Sequence, residues 1–458
     1  MSRAPIRSIC VVGDGIVGLS AALTFARAFP AVSIRLVTMP TDPAALADLL
    51  PTTLPSVGRF HAALGFDELD LVRRGVAHHH LGTRFDEGNG RIWYHGFGEV
   101  GRPEGAIPFH QLWLRAHREG RAAPFDAHCP GSVIGAAVKF VHPSHDPASP
   151  LSSYLYGLRL NPDRYRAALI AATAAIPRVT GSFGGIERSD GGGIAALLIG
   201  SDRIEADLYL DCAGPGAPLL SAIDPAFDDW SGWLPSGQLS LRHAGEGIPE
   251  PIDHARRDAT GWTVRAAVPG AVLNLTLKTA GTGAPHQPGR RPASFVANVL
   301  ALGDAAITVG PLLGANLSLA HGAILRAIDL LPGRDLNPLE LAEYNRLTTL
   351  EQDRVRDALI IMEKTAAPPP QTLARTLLQW RARGRLPFFE EESFNLSSWT
   401  QILIGRAMLP DAISPMAERV DADAAAAAMA DFAKGLALLA ADLPPYPAYL
   451  ERMGAPTR

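Results

Sequence analysis

The chain has 458 residues, of which 47% are hydrophobic and 19% charged, and its formal net charge is −4. This composition is typical of a globular protein with room for two or three domains. The small negative charge excludes a basic field for nucleic acid or an anionic membrane surface, so neither is expected as a partner. Cys10, Cys129 and Cys212 lack metal-ligand spacing, and with no signal-peptide pattern they predict a cytoplasmic protein with free thiols.

The first predicted element is a short strand over 8–12, followed by a glycine-rich turn and an apolar helix reaching about Phe29. In such a unit the glycines permit a tight turn, close approach of a pyrophosphate and close helix–strand packing. The helix start also offers unpaired N–H donors to an anion. The predicted dinucleotide contacts are Gly13, Gly15, Ile16, Val17 and Gly18. The acidic ribose ligand expected about 20 residues on is replaced by Thr38, which we keep as a candidate contact.

The next informative region contains three consecutive histidines, followed by alternating stretches such as RIWYHGF and, later, GWTVRAAVPGAVLNLTLKT. Alternation of this kind predicts strands of a second sheet, where a substrate would bind. Consecutive histidines alternate across a strand and cannot converge on one ion, so no metal site is expected. Trp93 and Trp262 are weak candidates for stacking on an aromatic substrate, and packing in a core is the alternative role for both.

Two later segments also point to a nucleotide site. Residues 206–212 read as a buried strand that ends in Asp211-Cys212-Ala213-Gly214. An apolar run from Phe295 then ends in Gly303-Asp304 and leads through Pro311 into a helix. This segment resembles the strand–Gly-Asp–helix segment of two-domain flavoproteins, in which the carboxylate binds the ribityl chain of FAD. The alternative for Asp304 is a helix N-cap. The candidate cofactor contacts here are Gly303, Asp304, Pro311, Asn316 and Leu317.

These elements predict an α/β protein of the two-domain FAD-dependent monooxygenase type. A discontinuous, Rossmann-like FAD domain is expected over residues 1–50, 150–218 and 290–335. The substrate region, a second sheet, is expected over 51–149 and 219–289. Helical periodicity begins after about residue 336 and resumes after a proline run that ends the first helix. This pattern predicts a helical C-terminal region over 336–458.

In this order the motifs resemble the flavin-dependent tryptophan halogenase family over most of the chain. The supporting pieces are GDGIVG, LPSVGRFHAALGFDELDLVRRG, LGTRF, YHGFG, YGLRLNPDRYRAAL, ADLYLDCAG, DDWSGWLPS, GWTVRAAVP, LGDAAITVGPL, YNRL with RVRDALII, and SSWTQILIGRAMLPDAISP. Several of these pieces are not generic to flavoproteins. The resemblance therefore implies both an FAD fold and a particular oxidative reaction.

The resemblance implies that a separate flavin reductase supplies reduced FAD, which forms a C4a-hydroperoxide with oxygen. Chloride or bromide then gives hypohalous acid, and a lysine beside the substrate delivers the halogen to an indole carbon. A neighbouring glutamate takes up the ring proton. Tryptophan, an indole or another small aromatic compound is the implied substrate, and a homodimer is left open.

The sequence departs from the family at the reacting positions. His80 occupies the position of the lysine, and Leu313 occupies that of the glutamate. Gly314, Ala315 and Asn316 stand where the family has the small residues whose backbone helps to hold chloride. Further departures lie in the tryptophan motif, which reads Trp262-Thr263-Val264-Arg265-Ala266-Ala267, and in the segment that straps FAD, which reads Pro51-Thr52-Thr53.

Three hypotheses remain from the sequence. The first is a halogenase-like oxidoreductase that acts on an aromatic substrate, with His80 as its candidate catalytic residue. The second is an FAD monooxygenase that does not use halide, and the third is a catalytically silent FAD-binding protein. An imidazole with an ordinary pKa of about 6.5 can shuttle protons at neutral pH, but it matches a stable haloamine less well than an amine does.

Overall fold

A computed structural model describes residues 4–363 and 365–457 of the chain. The strands, in chain order, are β1 (Ser8–Val12), β2 (Ser33–Val37), β3 (Ala77–His80), β4 (Gly82–Asp86), β5 (Ile92–Gly96), β6 (Gly157–Leu160), β7 (Arg178–Val179), β8 (Phe183–Arg188), β9 (Ile194–Ile199), β10 (Asp202–Ile204), β11 (Leu208–Asp211), β12 (Asp228–Asp229), β13 (Gly237–His243), β14 (Asp253–Asp258), β15 (Gly261–Val268), β16 (Ala271–Lys278), β17 (Ala284–His286), β18 (Gly289–Arg290), β19 (Phe295–Val296), β20 (Val299–Ala301) and β21 (Ile307–Thr308).

The helices follow the same chain order, with short 3₁₀ turns at Phe125–His128, Pro150–Ser153, Gly303–Ala305 and Leu312–Gly314. They are α1 (Ile16–Ala28), α2 (Leu46–Leu49), α3 (Val57–Leu64), α4 (Glu68–Arg73), α5 (Phe109–Arg118), α6 (Pro130–Ala136), α7 (Pro162–Ala172), α8 (Pro218–Ile223), α9 (Ala315–Asp329), α10 (Pro338–Glu363), α11 (Gln371–Arg383), α12 (Leu396–Gly405), α13 (Pro415–Glu418), α14 (Ala422–Asp442) and α15 (Tyr446–Arg452).

The chain divides into two compact units, and both are discontinuous in sequence. Unit 1 comprises Met1–Ala77, Leu160–Arg242 and Leu275–Gln352, and unit 2 comprises His78–Arg159, His243–Asn274 and Asp353–Arg458. These boundaries differ from the expected ones, because residues just beyond position 50 belong to unit 1. Helix α3 packs on α1 and α9, where Phe60 stacks on His321 with the ring centres 3.7 Å apart.

Unit 1 is built on a largely parallel sheet with the strand order β19-β20-β11-β1-β2-β7. Strands β11 and β2 flank β1 in parallel register, with Cys10 opposite Tyr209 and Arg35. All the residues of β11 are buried, as are all but the first of β1. Continuous apolar sequences are typical of parallel strands that are buried on both faces of a sheet. Their carboxyl ends share one edge of the sheet, where ligands bind in open α/β folds.

Unit 2 contains neighbouring strands in the order β15-β14-β4-β5. The β14–β4 pair is parallel, with Asp253 opposite Thr83, and the outer pairs are antiparallel. Burial alternates along much of β15, as expected for a sheet that presents different faces to core and surroundings. The alternating stretches RIWYHGF and GWTVRAAV therefore form strands, as the sequence predicted.

The C-terminal region is helical from α10 to α15, which confirms that part of the predicted fold class. Helix α14 is, within the described residues, the one helix whose length and apolar composition would suffice to cross a membrane. A single such helix is weak evidence for a span, and α14 packs against α5 and α6 of its own unit. The three cysteines are free and buried, as predicted, whereas the cytoplasmic location stays a prediction.

Candidate functional site

The glycine turn, residues 13–18, has the geometry expected of a dinucleotide-binding turn. Gly13 has φ +105°, and a Cβ atom there would lie 2.5 Å from the carbonyl oxygen of Cys212 at the end of β11. A Cβ on Gly18 would overlap the carbonyl oxygen of Gly13. Helix α1 begins directly after the turn, at Ile16. Glycine is therefore required at both positions, and α1 begins at the carboxyl edge of the sheet.

Asp304 lies on the same side of unit 1 as the glycine turn. It sits in the 3₁₀ turn Gly303–Ala305, and a Cβ on Gly303 would lie 2.9 Å from Val17 in α1. Its carboxylate caps neither this turn nor α9. Instead, Asp304 Oδ2 accepts the N–H of Ala47 at 3.2 Å, and Oδ1 has no hydrogen-bond partner among the described residues. The carboxylate therefore does not cap its own helix, and its bonded oxygen instead meets the first turn of α2.

Burial raises the pKa of Asp304 to about 7, although the backbone N–H of Ala47 acts in the opposite direction. The neighbouring Asp48 carboxylate adds to the increase. A buried carboxylate with an unpaired oxygen is suited to accept a hydroxyl donor from a ligand.

Asp48 is a site residue that the sequence analysis missed. Its Oδ1 atom accepts the N–H of Ile16 at 2.6 Å, at the first turn of α1. Burial raises the pKa of Asp48 to about 6, against the effects of this N–H and of Arg166. Asp48 lies in α2, ten positions after Thr38, and its carboxylate meets the first turn of α1.

The remaining predicted cofactor contacts also lie in unit 1. Thr38 follows β2, and its hydroxyl donates to the carbonyl of Val179 at 3.3 Å. Pro311, Asn316 and Leu317 line a cavity of about 10 Å³, which is the size of roughly one water molecule. The opposite wall comes from residues near α2, namely Leu46, Leu50 and Thr52, with Leu275 completing the lining.

The residues of this site fit FAD in their chemistry. The glycine turn and the N–H groups of α1 suit a diphosphate, and the unpaired oxygen of Asp304 suits the hydroxyls of a ribityl chain. The structure brings these groups to one edge of one unit although almost 300 residues separate them. Their roles as cofactor contacts stay predictions.

His80 is the last residue of β3 and lies in unit 2, where it is 2% exposed. Its Nε2 atom is 3.4 Å from Asp253 Oδ2, at the start of β14. Asp253 Oδ1 in turn accepts the Nε–H of Arg159 at 3.2 Å, and burial lowers the pKa of this guanidinium to about 9. We call His80, Asp253 and Arg159 the histidine site. The sequence analysis missed Asp253 and Arg159, because only folding brings these positions together.

Buried aromatic and histidine side chains surround the histidine site. His95 is buried, and burial together with the nearby His80 lowers the pKa of His95 to about 4. The Phe97 ring meets His80 edge-on with the ring centres 5.2 Å apart. His79 points elsewhere: it stacks on Phe140 at 3.8 Å, and its backbone N–H donates to Tyr446. Consecutive histidines thus serve different roles, as alternation along a strand requires.

The two tryptophans predicted as weak substrate contacts have distinct surroundings in unit 2. Trp262 is 1% exposed, and its indole N–H donates to Glu363 at 2.9 Å. Trp93 stacks on Phe85 at 4.6 Å, and its indole N–H donates to Glu87. Trp93 also lies at the wall of an open cleft of about 240 Å³, whose lining includes Tyr94, Trp113, Phe125 and Asp126. Both indoles have packing roles, and their contact with a substrate stays a prediction.

The positions that would carry halide chemistry are apolar or uncharged. Leu313 has φ +61° and is buried in the turn Leu312–Gly314. The side-chain N–H of Asn316 donates to the carbonyl of Gly310 at 3.2 Å, which fixes the orientation of the amide. Its Oδ1 atom is buried and has no hydrogen-bond partner among residues 4–363 and 365–457.

Comparison with known proteins places these features in one family. A family profile described as tryptophan halogenase matches residues 8–274 and 271–422. The tryptophan 6-halogenase SttH of Streptomyces toxytricini is 23% identical over 445 residues, covering 82% of this chain and 84% of that protein. The structure of BrvH, a flavin-dependent halogenase from Brevundimonas sp. BAL3, superposes with a TM-score of 0.90 at 27% identity, covering 98% and 99% of the two chains. A flavin-dependent halogenase from Xanthomonas campestris gives 0.89 at 25% identity, covering 99% and 100%.

Proposed function

The chain belongs to the tryptophan halogenase family of flavin-dependent enzymes, and from this premise we propose that it uses reduced FAD and oxygen to halogenate an aromatic substrate. Tryptophan or another indole is the first candidate substrate, chloride or bromide the halide, and a separate flavin reductase the electron source. The observation that carries the proposal is the shared edge of unit 1, where the glycine turn and Asp304 present complementary groups for one FAD molecule.

Bound FAD would supply the electrons that activate oxygen, and the residues of unit 1 would orient it. The N–H groups at the start of α1 would bind the diphosphate, because they carry the positive end of the helix dipole. Asp304 accepts a ribityl hydroxyl at its unpaired Oδ1 atom. Thr38 takes the place of the missing acidic ribose ligand.

His80 is the candidate acid–base residue of the reaction. Halogenation of an aromatic ring replaces a ring proton, so a base must accept that proton when the carbon–halogen bond has formed. With Nε2 held toward Asp253, the Nδ1 atom of His80 accepts it. Asp253 then stabilises the imidazolium, and Arg159 pairs with this carboxylate in its buried position. The lost family glutamate is thereby not needed for proton removal.

A second candidate is oxygenation of the aromatic substrate without halide. The buried Leu313 side chain supports it, since a hydrocarbon cannot polarise an oxidant or carry a proton. The buried acceptor oxygen of Asn316 supports it as well, because an acceptor next to a halide would repel the anion. The proton-accepting role of His80 is the same in both candidates.

The test is a single-turnover reaction with chemically reduced FAD, ¹⁸O-labelled oxygen and tryptophan or indole, with and without bromide. Mass spectrometry of the product separates the candidates. A brominated product that requires bromide supports halogenation, whereas an ¹⁸O-labelled product formed equally without bromide supports oxygenation. Absence of any product despite FAD binding in a titration contradicts both and favours the silent FAD-binding protein, whereas absence of FAD binding contradicts all three hypotheses.

A further inference from the structure

We propose that Asp48 controls the affinity for FAD, because its carboxylate occupies the helix N-terminus that the diphosphate of FAD needs. The inference rests on the proposed use of FAD, and it concerns a residue for which the family resemblance assigns no role. The relevant region is the 42–54 segment, which includes α2 and lies across the glycine turn.

The contact between Asp48 and α1 has the form of an anion bound at a helix N-terminus. Asp48 Oδ1 accepts the N–H of Ile16 at 2.6 Å. Both carboxylate oxygens approach the turn so closely that a Cβ on Gly15 would lie 2.7 and 2.8 Å from them. The N–H groups at this place are those that bind a pyrophosphate in dinucleotide-binding folds. Asp48 and a diphosphate would therefore compete for the same donors.

Three backbone contacts anchor the 42–54 segment within unit 1. The N–H of Ala47 donates to Asp304 Oδ2 at 3.2 Å, on one side of α2. The N–H of Leu54 donates to Ser318 Oγ at 3.0 Å, and the carbonyl of Pro51 accepts the N–H of Leu160 at 3.2 Å. The Asp48 carboxylate is thus held at the glycine turn by its backbone as well as by its own bond to Ile16.

The charge around Asp48 adds to the competition. Asp14 in the glycine turn and Asp304 are acidic, and Asp42 packs against Gly214 beside them. Arg166 of α7 is the nearby cation, but it already pairs with Asp14 at 2.9 Å. Because the pKa of Asp48 is about 6, its carboxylate is charged at pH 7.5. A diphosphate entering beside this carboxylate meets repulsion as well as a blocked donor.

The same segment also restricts the space beside the predicted cofactor contacts Pro311 and Asn316. Leu46, Leu50 and Thr52 close the cavity of about 10 Å³ that Pro311 and Asn316 line. Movement of the segment alone would affect every flavin equally. Removal of the Asp48 charge should instead favour ligands that carry a diphosphate. Comparing ligands with and without a diphosphate therefore distinguishes charge removal from movement of the segment.

The experiment compares the wild-type protein with Asp48→Asn and Asp48→Gly in titrations with FAD, ADP and riboflavin, followed by calorimetry and flavin fluorescence. Asn keeps an oxygen that can accept the Ile16 N–H but removes the charge, and Gly removes both. We expect both variants to bind FAD and ADP about tenfold or more tightly than the wild type. In the wild type the diphosphate must break the hydrogen bond between the charged Asp48 carboxylate and the Ile16 N–H, and neither variant has this charged acceptor. The affinity for riboflavin, which lacks the diphosphate, should not change.

The matched control is Asp67→Asn, because the exposed Asp67 carboxylate accepts the N–H of Asp70 at 2.9 Å at the start of α4, away from the glycine turn. Equal FAD affinity in the wild type and both Asp48 variants would overturn the inference while leaving the proposed function intact. An equal gain for FAD and riboflavin would overturn it as well, because a general opening of the segment would then be the cause. Failure of all variants to bind FAD and ADP would contradict the proposed function itself.

Discussion

The glycine turn of unit 1 and the histidine site of unit 2 depart from the family pattern in opposite ways. At the glycine turn, the residues that the fold requires are present, and a carboxylate has been added beside them. At the histidine site, the reacting amine that the family resemblance implies is absent, and a buried imidazole–carboxylate–guanidinium set stands in its place. The comparison teaches that a binding scaffold and the chemistry it serves can change separately. The first three predictions below each act on one unit and leave the other as the reference, whereas the last changes one residue in each unit.

The largest expected effect is that of His80→Gln on product formation. Glutamine is neutral and cannot accept a proton at neutral pH, so turnover should fall by about 100- to 10,000-fold, as for loss of a general base. FAD affinity should be unchanged, because His80 is not among the predicted FAD contacts. Single-turnover product yield and an FAD titration measure the two quantities.

The control for this prediction is His145→Gln, since His145 is an exposed histidine of the same unit. Unchanged turnover in His80→Gln would remove His80 from the reaction and leave the histidine site with a structural role.

The second prediction concerns the stability of the histidine site. Asp253→Ala removes the carboxylate that pairs with the buried Arg159, and a buried charge left without its partner costs about 3–5 kcal/mol. The free energy of unfolding, measured by urea denaturation, should fall by that amount. Arg159→Met in the same chain should recover much of the loss, because no unpaired charge then remains. No recovery in the double variant would show that Asp253 matters for another reason.

The third prediction concerns the scaffold. Asp304→Asn replaces the carboxylate with its unpaired oxygen by an amide of the same shape. Above its pKa of about 7 the Asp304 carboxylate is charged, and a hydrogen bond to a charged group contributes about 1.5–3 kcal/mol. At such a pH the affinity for FAD should fall about ten- to 100-fold while the affinity for ADP stays the same. Titration with both ligands measures the change. A parallel loss of ADP affinity would place the role of Asp304 in the fold and not at the ribityl chain.

The smallest expected effect is a gain. His80→Lys combined with Leu313→Glu restores the amine and carboxylate that the family resemblance implies, and bromide-dependent product should rise about tenfold over the wild type. Product yield with and without bromide measures this gain. A double variant that folds and binds FAD, yet shows no gain, would mean that other differences, such as Asn316, also prevent halide chemistry.

The parts of the molecule predicted from sequence are those whose signal is local. The strand Ser8–Val12 and the start of α1 follow from an apolar run and a glycine turn within about 20 residues, and both were confirmed. The strands of unit 2 followed from alternation. The compact units differ from the expected domain boundaries at α3. This helix belongs to unit 1 because it packs on α1 and α9, and the local sequence pattern of α3 does not indicate these partners.

The site residues missed by sequence reasoning come from contacts between distant positions. Asp48 lies 32 residues from Ile16, in a helix of four residues that has little periodic signal. Asp253 lies 94 residues from Arg159. The available hint for Asp48 was its position in the short run ALADLL, just before the FAD strap segment Pro51-Thr52-Thr53, which departs from the family pattern. Sequence separation of this size gives no indication of contact without the fold.

The most direct test of the central claim, that one FAD molecule bridges the glycine turn and Asp304, is a crystal structure of the protein with FAD. The account predicts the diphosphate on the N–H of Ile16, the ribityl chain at Asp304 and the Asp48 carboxylate displaced from α1. FAD bound elsewhere in the molecule, with Asp48 still hydrogen-bonded to Ile16, would contradict it.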